Sequence, residues 1–336
     1  MEKQDSNVLY MPDSRVKREL KLPIKSVGDL LEEAGREVPW LIDNVLAKGE
    51  VTDIAGLAKY SGKTTAICHA IVAGAQGKEF VGMATKPARY LYLTEQGNNF
   101  ADALRESGLV NYPEHLEIVQ YKDVAGTKWK DLYQNAAEDV KTLGFDAMVI
   151  DTSAKFSQFK DNQESESGAV GERMRHLTYL AQTFDIGIIH SRHAGKNGRG
   201  RGSSLFDGEA DVCILLKRPD GNHAKNIRKL EAIGRHGEWE LNVELTDGEY
   251  MALGTDERIE FNRAVGLIKD ALPLLGIDVP GKTEKELSEE LEGKVGKTTL
   301  NEARNWLVER EIVVGATRSE WNKRGPKPME YWKRES

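Results

Sequence analysis

Between residues 51 and 245, short apolar runs alternate with stretches of helical spacing. The runs predict strands at 51–55, 89–94, 116–120, 146–151, 186–190 and 211–216. Helical periodicity lies between them at 63–75, 130–143 and 168–184. Apolar runs separated by helices predict βαβ units around a mainly parallel sheet. Two further runs, 228–233 and 240–245, flank Gly-Arg-His-Gly-Glu-Trp. That spacing predicts an antiparallel hairpin closing the domain. A break follows at 246–258. Beyond it the spacing predicts helices at 261–275, 284–291 and 297–311, with β-like segments at 312–314 and 330–332. Three helices and a hairpin describe a winged helix-turn-helix. The expected fold is therefore α/β, with a loose polar arm (1–25), a main domain (26–250) and a small C-terminal winged domain (258–336).

The length of 336 residues suits one large domain and a small one. With 39% hydrophobic and 30% charged residues the chain is globular in composition, which argues against wholesale disorder. The net charge of −7 supplies no global basic field, so any nucleic-acid contact must come from a local patch. The two cysteines, Cys68 and Cys213, stand far apart in apolar surroundings and read as small buried hydrophobes, not a disulfide scaffold. No apolar run approaches the roughly 20 residues of a membrane helix. The first 13 residues carry no signal-peptide core. The expectation is a cytoplasmic protein without a membrane partner.

The chemistry concentrates after the 51–55 strand. There Gly56-Leu-Ala-Lys-Tyr-Ser-Gly-Lys-Thr-Thr65 leads into a helix, the context a phosphate-binding P-loop requires. Backbone N–H groups and the helix N-terminus would cradle phosphates. Gly56, Ser61, Gly62, Lys63, Thr64 and Thr65 are the candidate ATP-binding residues. Lys63 would reach the β- and γ-phosphates and Thr64 would hold Mg2+. The strict spacing puts the first glycine where Leu57 stands, so either the loop has one extra residue or Leu57 tolerates the turn. Gly-Lys-Thr-Thr recurs at 296–299 without a preceding strand and reads there as a plain helix start. Asp151 ends an apolar strand in the manner of a Walker B carboxylate, a second metal-site residue acting through water. Glu95 follows another strand, expected beside the P-loop strand, and suits a base that activates the attacking water.

Taken in order, Trp40-Leu-Ile-Asp, the P-loop, Tyr-Leu-Thr-Glu95, Val-Ile-Asp151, His193-Ala-Gly-Lys196, Arg201-Gly-Ser-Ser204 and Ala210-Asp-Val resemble the RepA-like branch of RecA-type ATPases. The resemblance covers about residues 36–250 and implies a RecA-like P-loop core, ATP with Mg2+, and a ring-forming, hexameric replicative DNA helicase. It implies that Glu95 is the catalytic glutamate and that His193 senses the γ-phosphate. Arg235, between the last two strands, resembles the arginine finger that DnaB-type and related rings lend to the next subunit. In the plasmid helicases of this branch the finger stands instead at the position of Asp211 here. The resemblance also directs the stretches 153–167 and 194–204 toward a central channel holding single-stranded DNA, with Lys196, Arg199 and Arg201 on the phosphates.

In the 297–311 helix, Leu300, Ala303, Trp306 and Leu307 form one stripe, leaving Lys297 and Arg304 for other faces. With Lys323, Arg324 and Lys327 in the following basic segment, these residues suit duplex DNA. A protein contact is the alternative for this module. The leading expectation is an ATP-driven DNA translocase or helicase serving a plasmid, phage or mobile element. Two alternatives are a recombinase-like or loader ATPase that does not unwind DNA, and a DNA-binding regulator for which nucleotide is only a switch.

Overall fold

A computed structural model describes residues 8–9, 18–19, 22–34, 37–57, 61–160, 163–194, 205–219, 226–246, 249–275, 279–317 and 328–334. Its centre is a nine-stranded sheet. In chain order the elements are β1 (Val51–Gly56), α1 (Lys63–Gln76), β2 (Tyr90–Thr94), α2 (Asn98–Glu106), β3 (Leu116–Gln120), α3 (Trp129–Thr142) and β4 (Ala147–Asp151). They continue with α4 (Ser167–Phe184), β5 (Gly187–His193), β6 (Val212–Lys217), β7 (Ile227–Gly234), β8 (Gly237–Thr246) and β9 (Glu249–Gly254). The spatial order is β9-β8-β7-β6-β1-β5-β4-β2-β3. Strands β6 to β3 in that order run parallel, and β7, β8 and β9 extend the sheet antiparallel.

The parallel centre is buried on both faces, which is why β2 and β4 read as nearly unbroken apolar runs. One face packs Ile54, Tyr92, Val149 and Ile189 against α1 and α2. The other packs Val51, Leu93, Ile150 and Ile188 against α3 and α4. Cys68 and Cys213 are both buried and form no disulfide. Among the described residues no helix is long and apolar enough to cross a membrane.

One expectation needs amendment. The segment 246–258, expected as a break, contains the edge strand β9 and the start of the next helix. Only one of its faces packs, so its apolar signal is weak. The Asp247-Gly248 dipeptide before it is the hairpin signal that marks it. The arm expected over 1–25 lies mostly outside the described residues. A helix at Val27–Ala34 follows it, with Val27, Leu30 and Leu31 exposed.

After β9 come α5 (Asp256–Ala271), β10 (Lys282–Thr283), α6 (Glu284–Glu290), α7 (Lys297–Glu309), β11 (Val313–Thr317) and β12 (Met329–Lys333). The strands form a separate antiparallel sheet in the order β10-β12-β11. Ala264, Ile268, Leu287, Leu300, Ala303, Leu307, Val313 and Tyr331 give these elements their own core. Helix α6 starts on a full capping box between Thr283 and Glu286.

Candidate active site

The site forms where the C-terminal ends of β1, β5, β4 and β2 meet the N-terminus of α1. Gly56 is the last residue of β1, paired with His193 on one side and Leu216 on the other. A Cβ at Gly56 would stand 2.6 Å from Ser61 Oγ and 2.9 Å from the Leu216 carbonyl, so only glycine fits. This settles the spacing question in part. Gly56 is a close-packing residue of the strand end, and the loop proper runs from Leu57, which is partly exposed. Ser61 closes the loop, its hydroxyl donating to the Leu57 carbonyl at 2.9 Å. Gly62 caps α1 in the left-handed region, with φ 80°.

Lys63, the first residue of α1, is buried and donates from Nζ to the Gly56 carbonyl at 3.1 Å. Burial pulls its pKa down, and the Asp151 carboxylate opposes that shift. Thr64 donates to Asp151 Oδ2 at 2.6 Å, and the Tyr92 hydroxyl donates to the same oxygen at 2.9 Å. Gln96 reaches Thr64 Oγ1 at 3.4 Å. Thr65 follows in the first turn of α1. Asp151 is 1% exposed, and its other oxygen, Oδ1, is buried without a hydrogen-bond partner among the described residues. An unpaired buried carboxylate oxygen beside a threonine hydroxyl is a hard-oxygen site that fits a divalent cation. Among the described residues no group of three or more His, Cys, Asp or Glu side chains is placed to hold a metal ion, at this site or any other. Mg2+ suits such a site because it takes few protein ligands and completes its shell with phosphate oxygens and water.

Glu95 stands just past β2. Its backbone N–H donates to the Asp151 carbonyl at 3.1 Å, and Thr152 Oγ1 donates to Glu95 Oε1 at 2.9 Å. Here the expectation is corrected. The strand bearing Glu95 lies beside β4, not beside the P-loop strand, and β4 and β5 separate the two. Strand β5 is inserted next to β1, which brings His193 level with Gly56.

The His193 Nδ1 is buried without a partner among the described residues. Burial lowers its pKa from 6.5, Lys63 lowers it further, and Glu95, Glu164 and Asp151 oppose both. The folded site therefore holds the neutral imidazole. A lowered pKa places the effect below the ordinary histidine range. The neutral ring persists above that range and is lost as pH falls through the shifted value. We expect the His193 ring, followed by NMR, to titrate below 6.5. Activity that depends on the neutral ring should fade along the same limb. A midpoint at or above the ordinary value would contradict the burial assigned here.

Arg235 stands apart from this cluster. It sits at the β7–β8 turn, 66% exposed at the side chain, with Nη1 3.1 Å from Asp211 Oδ1. Asp211 itself is held by the Val51 N–H at 2.8 Å. Of the residues expected on DNA, Lys196, Arg199, Arg201, Lys323, Arg324 and Lys327 lie outside the described residues. Lys297 is exposed at the start of α7. Arg304 is engaged within its own module, pairing with Glu284 at 2.9 Å and lying over the Tyr331 ring. The second Gly-Lys-Thr-Thr has no strand before it, and Glu260 accepts from the Gly296 N–H at 3.2 Å.

Sequence reasoning missed Tyr92, Gln96 and Thr152 at the site, and the contact that Arg228 makes with the P-loop. It also missed Asp53, His190 and Arg192, a fully buried trio on β1 and β5. Asp53 accepts from Arg192 Nε at 2.7 Å and pairs with His190 Nδ1 at 3.0 Å. Polar residues inside strands buried on both faces were the available signal, since such groups must pair with one another.

A P-loop whose lysine and threonine meet a buried strand-end aspartate, on a mainly parallel sheet, defines a P-loop ATPase. The chain belongs to the family described as AAA domain, whose model matches residues 17–199. No curated protein matches the sequence. Among solved structures it is similar to a KaiC-like protein from the hyperthermophilic archaeon Pyrococcus horikoshii OT3. The two share 15% identity over 63% of this chain and 93% of that one, with a TM-score of 0.47.

Proposed function

We propose that the protein is a Mg2+-dependent, ring-forming ATPase that moves along or unwinds DNA. The observation that carries this reading is the separation of Arg235 from its own P-loop. Gly234 pairs with Val212, and Val212 pairs with Thr52, near the start of β1. The P-loop begins beyond Gly56, at the other end of that strand. Four or five residues of strand put roughly 15 Å between the two levels. An exposed arginine held at that distance serves another protomer's nucleotide more readily than its own. It also lies against Asp211, the position where the plasmid helicases carry their finger. The guanidinium thus reaches the same place from the hairpin.

In the hydrolytic step, Lys63 and the α1 N-terminus hold the phosphates, and Thr64 and Asp151 hold the metal. The metal would neutralise charge on the phosphate oxygens. Glu95, fixed by Thr152 and the Asp151 carbonyl, takes the proton of the attacking water. His193, beside Lys63, reports the state of the γ-phosphate to the stretch that follows β5. That stretch, with Lys196, Arg199 and Arg201, is the proposed contact to single-stranded DNA.

The C-terminal elements fit a winged helix-turn-helix, with α7 as the helix offered to a groove and the β11–β12 connection as the wing. Lys297 with Lys323, Arg324 and Lys327 supplies the charge, while Arg304 is committed to Glu284. A protein contact is the second reading for this module, favoured by Glu284, Glu286, Glu289 and Glu290 on the neighbouring helix.

The test is one experiment with two readouts: ATP turnover with and without single-stranded DNA, and mass in solution with ATP. The expected outcome is turnover raised several-fold by DNA and a ring-sized assembly. Turnover indifferent to DNA in a stable monomer would remove the translocase reading and leave a nucleotide-switched regulator.

A further inference from the structure

The antiparallel strands β7 and β9 reach the P-loop from the side opposite the catalytic cluster. Arg228, near the start of β7, donates from Nε to the Ser61 carbonyl at 3.1 Å and from Nη1 to the Ile227 carbonyl at 2.7 Å. Tyr250, on β9, brings its hydroxyl within 3.4 Å of where a Cβ on Gly62 would stand. Its ring packs edge-on against His69 of α1, with centroids 5.1 Å apart. Two residues from the sheet extension therefore bracket the Ser61–Gly62 peptide.

That peptide matters because it is planar and trans, so its C=O and N–H point in opposite directions. Fixing the Ser61 carbonyl on Arg228 turns the Gly62 N–H the other way, away from Arg228. Gly62 is left-handed and lacks a side chain, so nothing of its own holds the peptide plane. An external clamp supplies the missing constraint. Lys63, Thr64, Asp151, Glu95 and His193 all lie on the β1–β5–β4–β2 side, and Arg228 approaches from the β6–β7 side.

We propose that Arg228 is a positioning residue acting in cis. It holds the Ser61 carbonyl so that the P-loop N–H groups are aimed at the nucleotide's phosphates before the nucleotide arrives. The proposal rests on the ATPase reading but not on ring formation or DNA. It separates Arg228 from Arg235, at the far end of the same strand and directed away from its own site.

The test measures binding and turnover separately. Arg228→Met removes the donor and keeps much of the bulk. Fluorescent mant-ADP, which is not hydrolysed, should bind about tenfold more weakly, the size of one charge-assisted hydrogen bond. KM for ATP should rise alongside while kcat stays within about twofold. Arg228→Lys, which keeps a charged donor, should recover part of the affinity. If Arg228→Met fails to fold, the lysine variant is read alone and must still bind mant-ADP measurably more weakly than the parent. Mixing gives a separate check. A cis residue must share its protomer with Glu95, so Arg228→Met mixed with Glu95→Gln should show no more turnover than the variants measured separately. Parental mant-ADP affinity in both Arg228 variants would overturn the proposal. So would a collapse of kcat at unchanged affinity, or activity gained by mixing. A failure of the ring reading appears instead in the solution mass and leaves the mant-ADP result intact.

Discussion

Lys63→Ala is expected to abolish ATP hydrolysis and to weaken nucleotide binding by about 10- to 100-fold, the worth of one or two charge-assisted hydrogen bonds. The ammonium is buried at the first position of α1, where the helix N-terminus already favours negative charge. Its pKa is drawn down by burial, yet the nearby Asp151 carboxylate favours the charged form. Removing it leaves Asp151 and Glu95 facing incoming phosphates without the cation that balances them. Like charges then oppose binding, and the transferred phosphoryl group loses its internal counter-charge. The substitution also unpairs the Gly56 carbonyl from its lysine donor. That carbonyl still accepts from the Ala194 N–H at 2.9 Å, so the strand end should hold. Isothermal titration with a non-hydrolysable ATP analogue and a phosphate-release assay would check both parts, with thermal unfolding as the folding control. Parental turnover in the variant would remove the P-loop assignment altogether.

The strand–loop–helix unit at 51–76 was legible because its pattern changes sharply, from an apolar run to a Gly-rich loop to helical spacing. Asp151 and Glu95 were legible as carboxylates at strand ends. Their mutual arrangement was not, because strand order is invisible to local pattern. The sequence shows β2 before β4 and β5. Only tertiary pairing inserts β5 beside β1, moves Glu95 two strands away and lets Asp151 receive both Thr64 and Tyr92. Arg228 was hidden for the same reason. Its contact to Ser61 spans 167 residues and belongs to no motif. Gly56 illustrates a subtler limit. Its identity follows from a Ser61 side chain that would meet any Cβ, a contact no spacing rule encodes. Arg304 shows the opposite error. A helical wheel places it on an outward face, but Glu284 and Tyr331 fold back to occupy it. Exposed charge on a wheel is not exposed charge in a fold, because long side chains reach across neighbouring elements.

Arg235→Ala should lower hydrolysis by about 10³ to 10⁵ while leaving nucleotide affinity nearly intact, as expected for a cation that acts only on the transition state. Lys63, Thr64, Asp151 and Glu95 approach the nucleotide from one protomer. Charge that develops on the transferred phosphoryl then needs a partner from the open side. Arg235 is suited to provide it. It stands at a turn between two strands of eight and ten residues, so its backbone is anchored while its side chain is free to reach outward. Its contact to Asp211 leaves the guanidinium exposed while the carboxylate is buried, so the arginine can swing out to a phosphate from the solvent side. The Val51 N–H keeps its hydrogen bond to Asp211 when it does. Mixing gives the decisive signature. Arg235→Ala subunits lack the finger, and Glu95→Gln subunits lack the base, so each preparation should be inactive alone. In mixed rings, an Arg235→Ala protomer still carries Glu95 and can receive the intact arginine of a Glu95→Gln neighbour. Those interfaces contain every required group, so activity should partly return and should scale with the fraction of such junctions. Normal hydrolysis by Arg235→Ala, or no return of activity in rings shown by mass to be mixed, would place the finger elsewhere. Arg228 is already committed in cis by its bond to Ser61, which leaves Arg218, exposed at the end of β6, as the next residue to test.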